Sequence, residues 1–360
     1  MKTSETLWLT VGFCAAFLAG CAGGTAVPVA TSTPSASQAS PTRAAGLPSP
    51  TVELARPTPE FSVQIDLVGI NDQLGSPHDV VVSGYNAYVA DSFNGLRIVD
   101  VSDRSDPVEV GAFDPVGSAR GYGVNYANSL AYLADGLGLL ILDVSDPAAP
   151  AETGFYDSIG FAEKVQLAGG YAYVAGREGG LNIADVSDPA EPHGVADYFE
   201  AGSVHVRDVF VSDSYVYVAM ESQGLRVVDA TDPAGPEEVG FYDTPGAAEA
   251  VVVSGSMAYV ADGEAGLRLV DVSEPSSPEE VAAYDTPGYA QEVQLSGSYA
   301  FVGDGDSRLF LAVDVSEPGS PQLAGQYKTP GYVWAFDIVD NYAYVANGEH
   351  GLLVLRLEFE

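Results

Sequence analysis

Cysteine is almost missing from this 360-residue chain: the only two, Cys14 and Cys21, sit near its start. After residue 21 no disulfide, thiolate metal ligand or thiol nucleophile is available. Basic residues are scarce as well, with 14 Lys and Arg against 50 Asp and Glu, a net charge of −36. Lys2, Arg43 and Arg56 balance Glu5, Glu53 and Glu60 before Phe61, so the whole imbalance falls on residues 61–360. Such a surface excludes nucleic acid, whose phosphates require a basic partner, and opposes direct docking on anionic lipid. Cationic partners and metal ions stay open, and adaptation to salt would produce the same composition. A long apolar run is also lacking. The best, Leu7–Leu18, is shorter than a membrane span. No nucleophile elbow, phosphate-binding loop or dinucleotide fingerprint occurs. The glycines of "GREGGL" and "GEAGLR" belong to loops with no helix behind them. No segment reads as an amphipathic helix; short β-branched and aromatic runs dominate.

The N-terminus reads MKTSETLWLTVGFCAAFLAGC. Lys2 is a weak basic start, Leu7–Leu18 an apolar core, and Leu18-Ala19-Gly20-Cys21 resembles a bacterial lipobox. The resemblance implies a lipoprotein signal peptide over 1–20 and acylation of Cys21. Residues 21–60 then follow as a linker of Ser, Thr, Pro and Ala, which predicts a disordered or polyproline-like spacer. Such a spacer reaches roughly 5–6 Å times the square root of its length. The expected location is the cell envelope, lipid-anchored on the extracytoplasmic side, with Cys21 as the sole membrane contact.

The rest of the chain, 61–360, repeats itself. "YVAD" at Tyr88 returns at Tyr132, Tyr173, Tyr217, Tyr259, Phe301 and Tyr344, seven copies spaced 41–44 residues apart. A period near forty with several short strands per unit predicts a β-propeller. In the fifth unit Glu249–Gly255, Met257–Asp262, Gly266–Val272 and Pro278–Gly288 read as four strands from the axis outward. The seventh unit ends after three, and an unassigned strand, Phe61–Gly69, precedes the first unit. The expected fold is all-β, a seven-bladed propeller of four-stranded antiparallel blades with 3+1 closure by the N-terminal strand, which leaves no open sheet edge. The recurring Asp100, Asp143, Asp185, Asp229, Asp271 and Asp314, and pairs such as Asp146-Pro147 and Asp188-Pro189, read as turn chemistry. The third strands LRIVD, LLILD, LNIAD, LRVVD and LRLVD resemble the LVIVD repeat of bacterial and archaeal cell-surface proteins. That resemblance implies a surface propeller and no particular reaction. The sixth unit departs from it with an extra residue in "GDGDSRLFLAVD", and the seventh lacks the Asp.

Comparing the copies separates architecture from candidate function. Ten residues before each Tyr of YVAD, at the start of the innermost strand, stand His78, Tyr122, Glu163, Arg207, Glu249, Gln291 and Trp334. Two residues further on the column is uniform, Val in six units and Phe336 in the seventh. Innermost strands line the axial channel, so the variable column should ring one channel mouth and form a ligand site. The expectation is a binding or interaction module for a protein, peptide or glycan, acting as a monomer, with no cofactor and no catalytic residue assigned. The alternative is an extracellular hydrolase or lyase acting on polysaccharide or peptide through Glu163, Arg207 and Glu249, since glycoside hydrolysis takes two carboxyl groups. A metal held by His78, His205 and His350 with Asp79 and Asp208 would fit imidazole and carboxylate chemistry. Blades one and four, however, lie nearly across the ring, and no metal site is assigned. Trp334, the only Trp beyond Trp8, is expected to be partly exposed.

Overall fold

A computed structural model describes residues 61–115, 120–158, 160–198 and 205–360. The expected leader (1–20), Cys21 and the linker (21–60) lie outside the described residues. Seven four-stranded antiparallel sheets are present, and their innermost strands contact one another in a closed cycle. Blade one runs Asp79–Ser83, Asn86–Ala90, Leu96–Asp100 and Val108–Phe113 from the axis outward. Blade five runs Ala250–Ser254, Met257–Ala261, Leu267–Asp271 and Glu279–Tyr284, each strand slightly shorter than its sequence pattern. Among the described residues the only helical element is the short turn Gly348–His350.

Blade seven closes the ring from both ends of the domain. Its inner three strands are Ala335–Val339, Tyr342–Ala346 and Leu352–Phe359, and its outermost strand is Val63–Asn71, antiparallel to Leu352–Phe359. The strand begins and ends two residues later than the sequence pattern suggests. Val63 and Ile65 pack into one cluster with Phe301, Phe310, Phe336, Leu353 and Leu355. Burying each such side chain stabilises by about 1.5–3 kcal/mol, so the closure is a packed joint as well as a hydrogen-bonded one.

Each of the seven hydrophobic clusters lies between two adjacent blades. Alternation along a strand explains this: the second strand of each blade, such as Tyr259-Val260-Ala261, is buried on both faces. A bulge recurs where third and outermost strands pair, at Ile98/Val99, Ile141/Leu142 and Val227/Val228 among others. It aims the outer strand at the next blade. There Gly111 passes so close to the Pro147 carbonyl that a Cβ would lie 1.9 Å from its oxygen.

The turn reading of the repeated Asp holds. Asp100, Asp143, Asp185, Asp229, Asp271 and Asp314 each accept the backbone N–H two residues on, at 2.8–2.9 Å. The Asp of YVAD has a separate task. Asp91, Asp262 and Asp304 are buried and accept N–H groups of the loop entering the innermost strand: Gly75 for Asp91, Gly246 for Asp262, Gly288 and Tyr289 for Asp304. In these three blades the carboxylate holds the loop that leads to the mouth residue, whereas Asp135 of blade two accepts from Leu137 and Gly138 of its own loop.

Candidate functional site at the channel mouth

All seven residues of the variable column line a single recess of about 320 Å³. Lys164, Arg177, Tyr289 and Tyr332 complete its wall. Blades seven, one and two supply an aromatic arc. Tyr332 tilts against Trp334 (4.4 Å between centroids), Trp334 stacks on His78 (4.7 Å), and Tyr122 meets His78 edge-on (5.4 Å). Phe161 extends the arc against Tyr122, with the Arg177 guanidinium 4.8 Å over its ring. Trp334 is half-buried, as expected from the sequence.

Blades three to six supply the polar arc. Arg177 binds Glu163 bidentately, with two bonds of 2.7 Å. Arg207 donates to Glu221 at 2.9 Å and lies only loosely, at 3.5 Å, against both Glu163 and Glu249. The Glu163 contacts are weak hydrogen bonds, while the Glu249 contact is an ion pair from Nε, which is buried with no hydrogen-bond partner among the described residues. Glu249 accepts from the Tyr289 hydroxyl and from Gln291 Nε2 at 3.3 Å, while the Tyr332 hydroxyl donates to Gln291 Oε1 at 2.9 Å. Burial pushes the Glu249 carboxyl above its ordinary range, against the pull of Tyr289 and Arg207. Burial pushes the His78 imidazole below its own, and the Ser76 carbonyl, 2.9 Å from Nδ1, only partly restores it. A neutral ring donating from Nδ1 to that carbonyl keeps Nε2 as an acceptor.

Below the mouth the channel forms a second recess of about 410 Å³, to which all seven innermost strands contribute. Lys164 lines both recesses and divides them. Its ammonium lies 2.9 Å from Glu292 and 3.2 Å from Asp79, with 23% of the side chain accessible. Desolvation raises the Glu292 carboxyl to about 7 and that of Asp208 to about 6, although Lys164 opposes both. Around this level the strand edges facing the axis are tied by side chains. Asp337 accepts from Val82 N (2.7 Å), Asp79 from Val124 N (3.0 Å) and Asp208 from Val251 N (3.0 Å), while Asn125 donates to Val165 O (3.3 Å) and Gln294 to Phe336 O. Innermost strands are sheet edges, and these bonds satisfy groups that no neighbouring strand reaches.

Seven segments of the chain, 74–115, 125–158, 159–199, 203–244, 245–286, 287–329 and 330–355, match the LVIVD repeat. The chain belongs to the LVIVD repeat family. No curated protein sequence matches this LVIVD-repeat chain. Among solved structures it is similar to the WD40 β-propeller domain of Doa1, with a TM-score of 0.65 at 13% identity over 83% of this chain and 98% of that one. The β-propeller domain of Cps50 (Swd1) from Myceliophteria thermophila gives 0.65 at 11% identity over 81% and 99%. BamB from Moraxella catarrhalis gives 0.55 at 13% identity over 78% and 82%. At such identities the likeness shows the fold alone.

The LVIVD propeller does not gather its histidines. His78 stacks on Trp334, His205 pairs with Glu221 through Nδ1 at 2.9 Å, and His350 ends the short turn of blade seven. Asp79 and Asp208 face Lys164 in the throat instead. Among the described residues no group of three His, Cys, Asp or Glu is placed to hold a metal ion. Lys164, Arg177, Tyr289 and Tyr332 stand outside the variable column, in the columns and loop that adjoin it. Tyr289 and Tyr332 stand two residues before Gln291 and Trp334, and Lys164 directly follows Glu163, so adjoining columns carried the signal. Arg177 reaches the mouth from the loop between the second and third strands of blade three, on the face where the repeat places such loops, and only its pairing with Glu163 lies beyond the periodicity.

Proposed function

We propose that this protein is a lipid-anchored binding module, displayed at the cell surface through Cys21, whose ligand or partner seats at the channel mouth. One observation carries the reading: seven equivalent positions hold six different residue types around one recess, directly above a nearly uniform ring of core Val and Phe. A site needed only for closure would repeat as the core column does. The occupant is a protein, peptide or glycan group of the envelope, bound by a single copy of the chain.

The hydrolase or lyase alternative rests on Glu249, whose raised carboxyl beside Glu163 resembles an acid–base pair set by environment. Against it, Arg207 contacts both carboxylates, and Glu163 already accepts two short bonds from Arg177. Groups tied in this way orient a ligand better than they transfer protons.

The test uses the full chain carrying Trp8→Phe, so that Trp334 is the only indole. Acrylamide should quench its emission to an intermediate degree. In a screen of peptides, glycans and divalent cations, a ligand of the mouth changes that emission and loses its effect in Arg207→Gln and Glu249→Gln. A ligand that binds both variants as well as the parent moves the site elsewhere.

A further inference from the structure

Resting on the reading of the mouth as a binding site, we infer that its ligand is a neutral saccharide, seated with ring C–H groups on the aromatic arc and hydroxyls on the polar arc. Charge is the first argument. The three basic residues lining the recess are each matched inside the protein: Arg177 by Glu163 at 2.7 Å, Arg207 by Glu221 at 2.9 Å, Lys164 by Glu292 at 2.9 Å and Asp79 at 3.2 Å. An anionic ligand would find no unmatched cation there and would approach a chain of net charge −36. A cationic ligand at Glu163 or Glu249 would sit beside the Arg177 and Arg207 guanidiniums, whose charge opposes it. A neutral ligand rich in hydroxyls breaks none of these pairs.

Hydrogen-bond capacity is the second argument. Arg207 donates to Glu221 at 2.9 Å but holds Glu163 only at 3.5 Å, longer than a normal bond, so its Nη1 group can shorten onto a hydroxyl oxygen. Gln291 uses one amide hydrogen on Glu249 and retains another. His78 Nε2 accepts, and Glu163 keeps lone pairs beyond those used by Arg177. Donors and acceptors therefore alternate along one wall and match groups that both donate and accept, as sugar hydroxyls do. The facing wall is Tyr332, Trp334, His78 and Tyr122, an apolar surface without aliphatic branches. A volume of about 320 Å³ lies at the lower end of small-ligand sites and suits about one or two pyranose rings at the end of a glycan.

The third argument excludes an added peptide strand. Strand addition needs a free sheet edge. The innermost edges are the ones nearest the mouth, and at five of the seven junctions Asp337, Asp79, Asn125, Asp208 and Gln294 already tie them to the next blade.

The experiment titrates the Trp8→Phe full chain with four neutral disaccharides (cellobiose, maltose, lactose, N,N′-diacetylchitobiose), with glucosamine and glucuronate, and with a basic and an acidic peptide. Trp334 emission is the readout, and thermal melting shows that each variant is folded. At least one neutral disaccharide should give a saturable change. Its affinity should fall by about tenfold in Gln291→Ala, the loss of roughly one hydrogen bond, and comparably in Tyr122→Leu. If a charged probe saturates the signal in a Gln291-dependent way while every neutral disaccharide fails, the saccharide proposal is overturned and the mouth stands as a binding site. If no probe changes the emission and acrylamide cannot reach Trp334, both fall. A disaccharide bound equally by parent, Gln291→Ala and Tyr122→Leu also overturns the proposal, by placing the sugar outside the mouth.

Discussion

His78 and Trp334, from the first and last blades, stack with centroids 4.7 Å apart and planes inclined by 27°. The contact crosses the seam where the ring closes. The aromatic half of the mouth therefore depends on blade seven being complete, and blade seven depends on a strand from the opposite end of the domain. Fold closure and site geometry are one event.

Deleting Phe61–Gly69 should accordingly destabilise the whole propeller. It removes most of the outermost strand of blade seven, takes Val63 and Ile65 from a packed cluster and exposes the edge of Leu352–Phe359. Deleting residues 22–53 should leave the melting temperature unchanged. Thermal unfolding of the two truncations checks this; equal melting would refute closure by the N-terminal strand.

The throat makes stability depend on pH. Folding raises Glu292 from 4.5 to about 7 and Asp208 from 3.8 to about 6, so between the unfolded and folded values the native state binds more protons than the unfolded chain. Their contribution is full below about pH 4 and is lost as pH rises toward 6 and 7. Lys164, Asp79 and Asp337 share the site, and the raised Lys164 value keeps the ammonium charged throughout this window. Melting temperature should thus fall between pH 5 and pH 7.5. In Glu292→Gln, which mimics the protonated acid, that fall should be shallower; an identical profile would remove Glu292 from the account.

Gly111→Ala should destabilise by about 1–3 kcal/mol, the usual cost of overpacking, because its Cβ would lie 1.9 Å from the Pro147 carbonyl oxygen of the next blade. Blades three and five carry Ala196 and Ala282 at the same register. A neutral effect in chemical denaturation would mean that blades one and two yield enough to admit the methyl group.

Cys21→Ser should release the protein from membranes, since a thioether-linked lipid requires the thiol. Fractionation of cells expressing the variant is the measurement. A variant that stays with the membrane and uncleaved would identify Leu7–Leu18 as a retained anchor.

The repeats made the architecture legible. A period of 41–44 residues, a uniform Val column and an unassigned strand at the start are local patterns repeated seven times, and repetition reports what a blade requires. The same comparison exposed the variable column, because residues lining an axis in common can differ without disturbing their own blade. Pairing was beyond its reach. That Arg207 spans two carboxylates and that Lys164 sits among Asp79, Asp208 and Glu292 are contacts between different blades, and Glu163 is claimed within its own blade by Arg177 from a loop 14 residues on. They depend on loop direction, rotamer and burial, which only the closed ring supplies. Sequence alone determined the number of blades, the closing strand and which residues surround the mouth. Tertiary structure alone decided which charges cancel there, because charge matching depends on distances across the axis and no residue's own neighbours encode them.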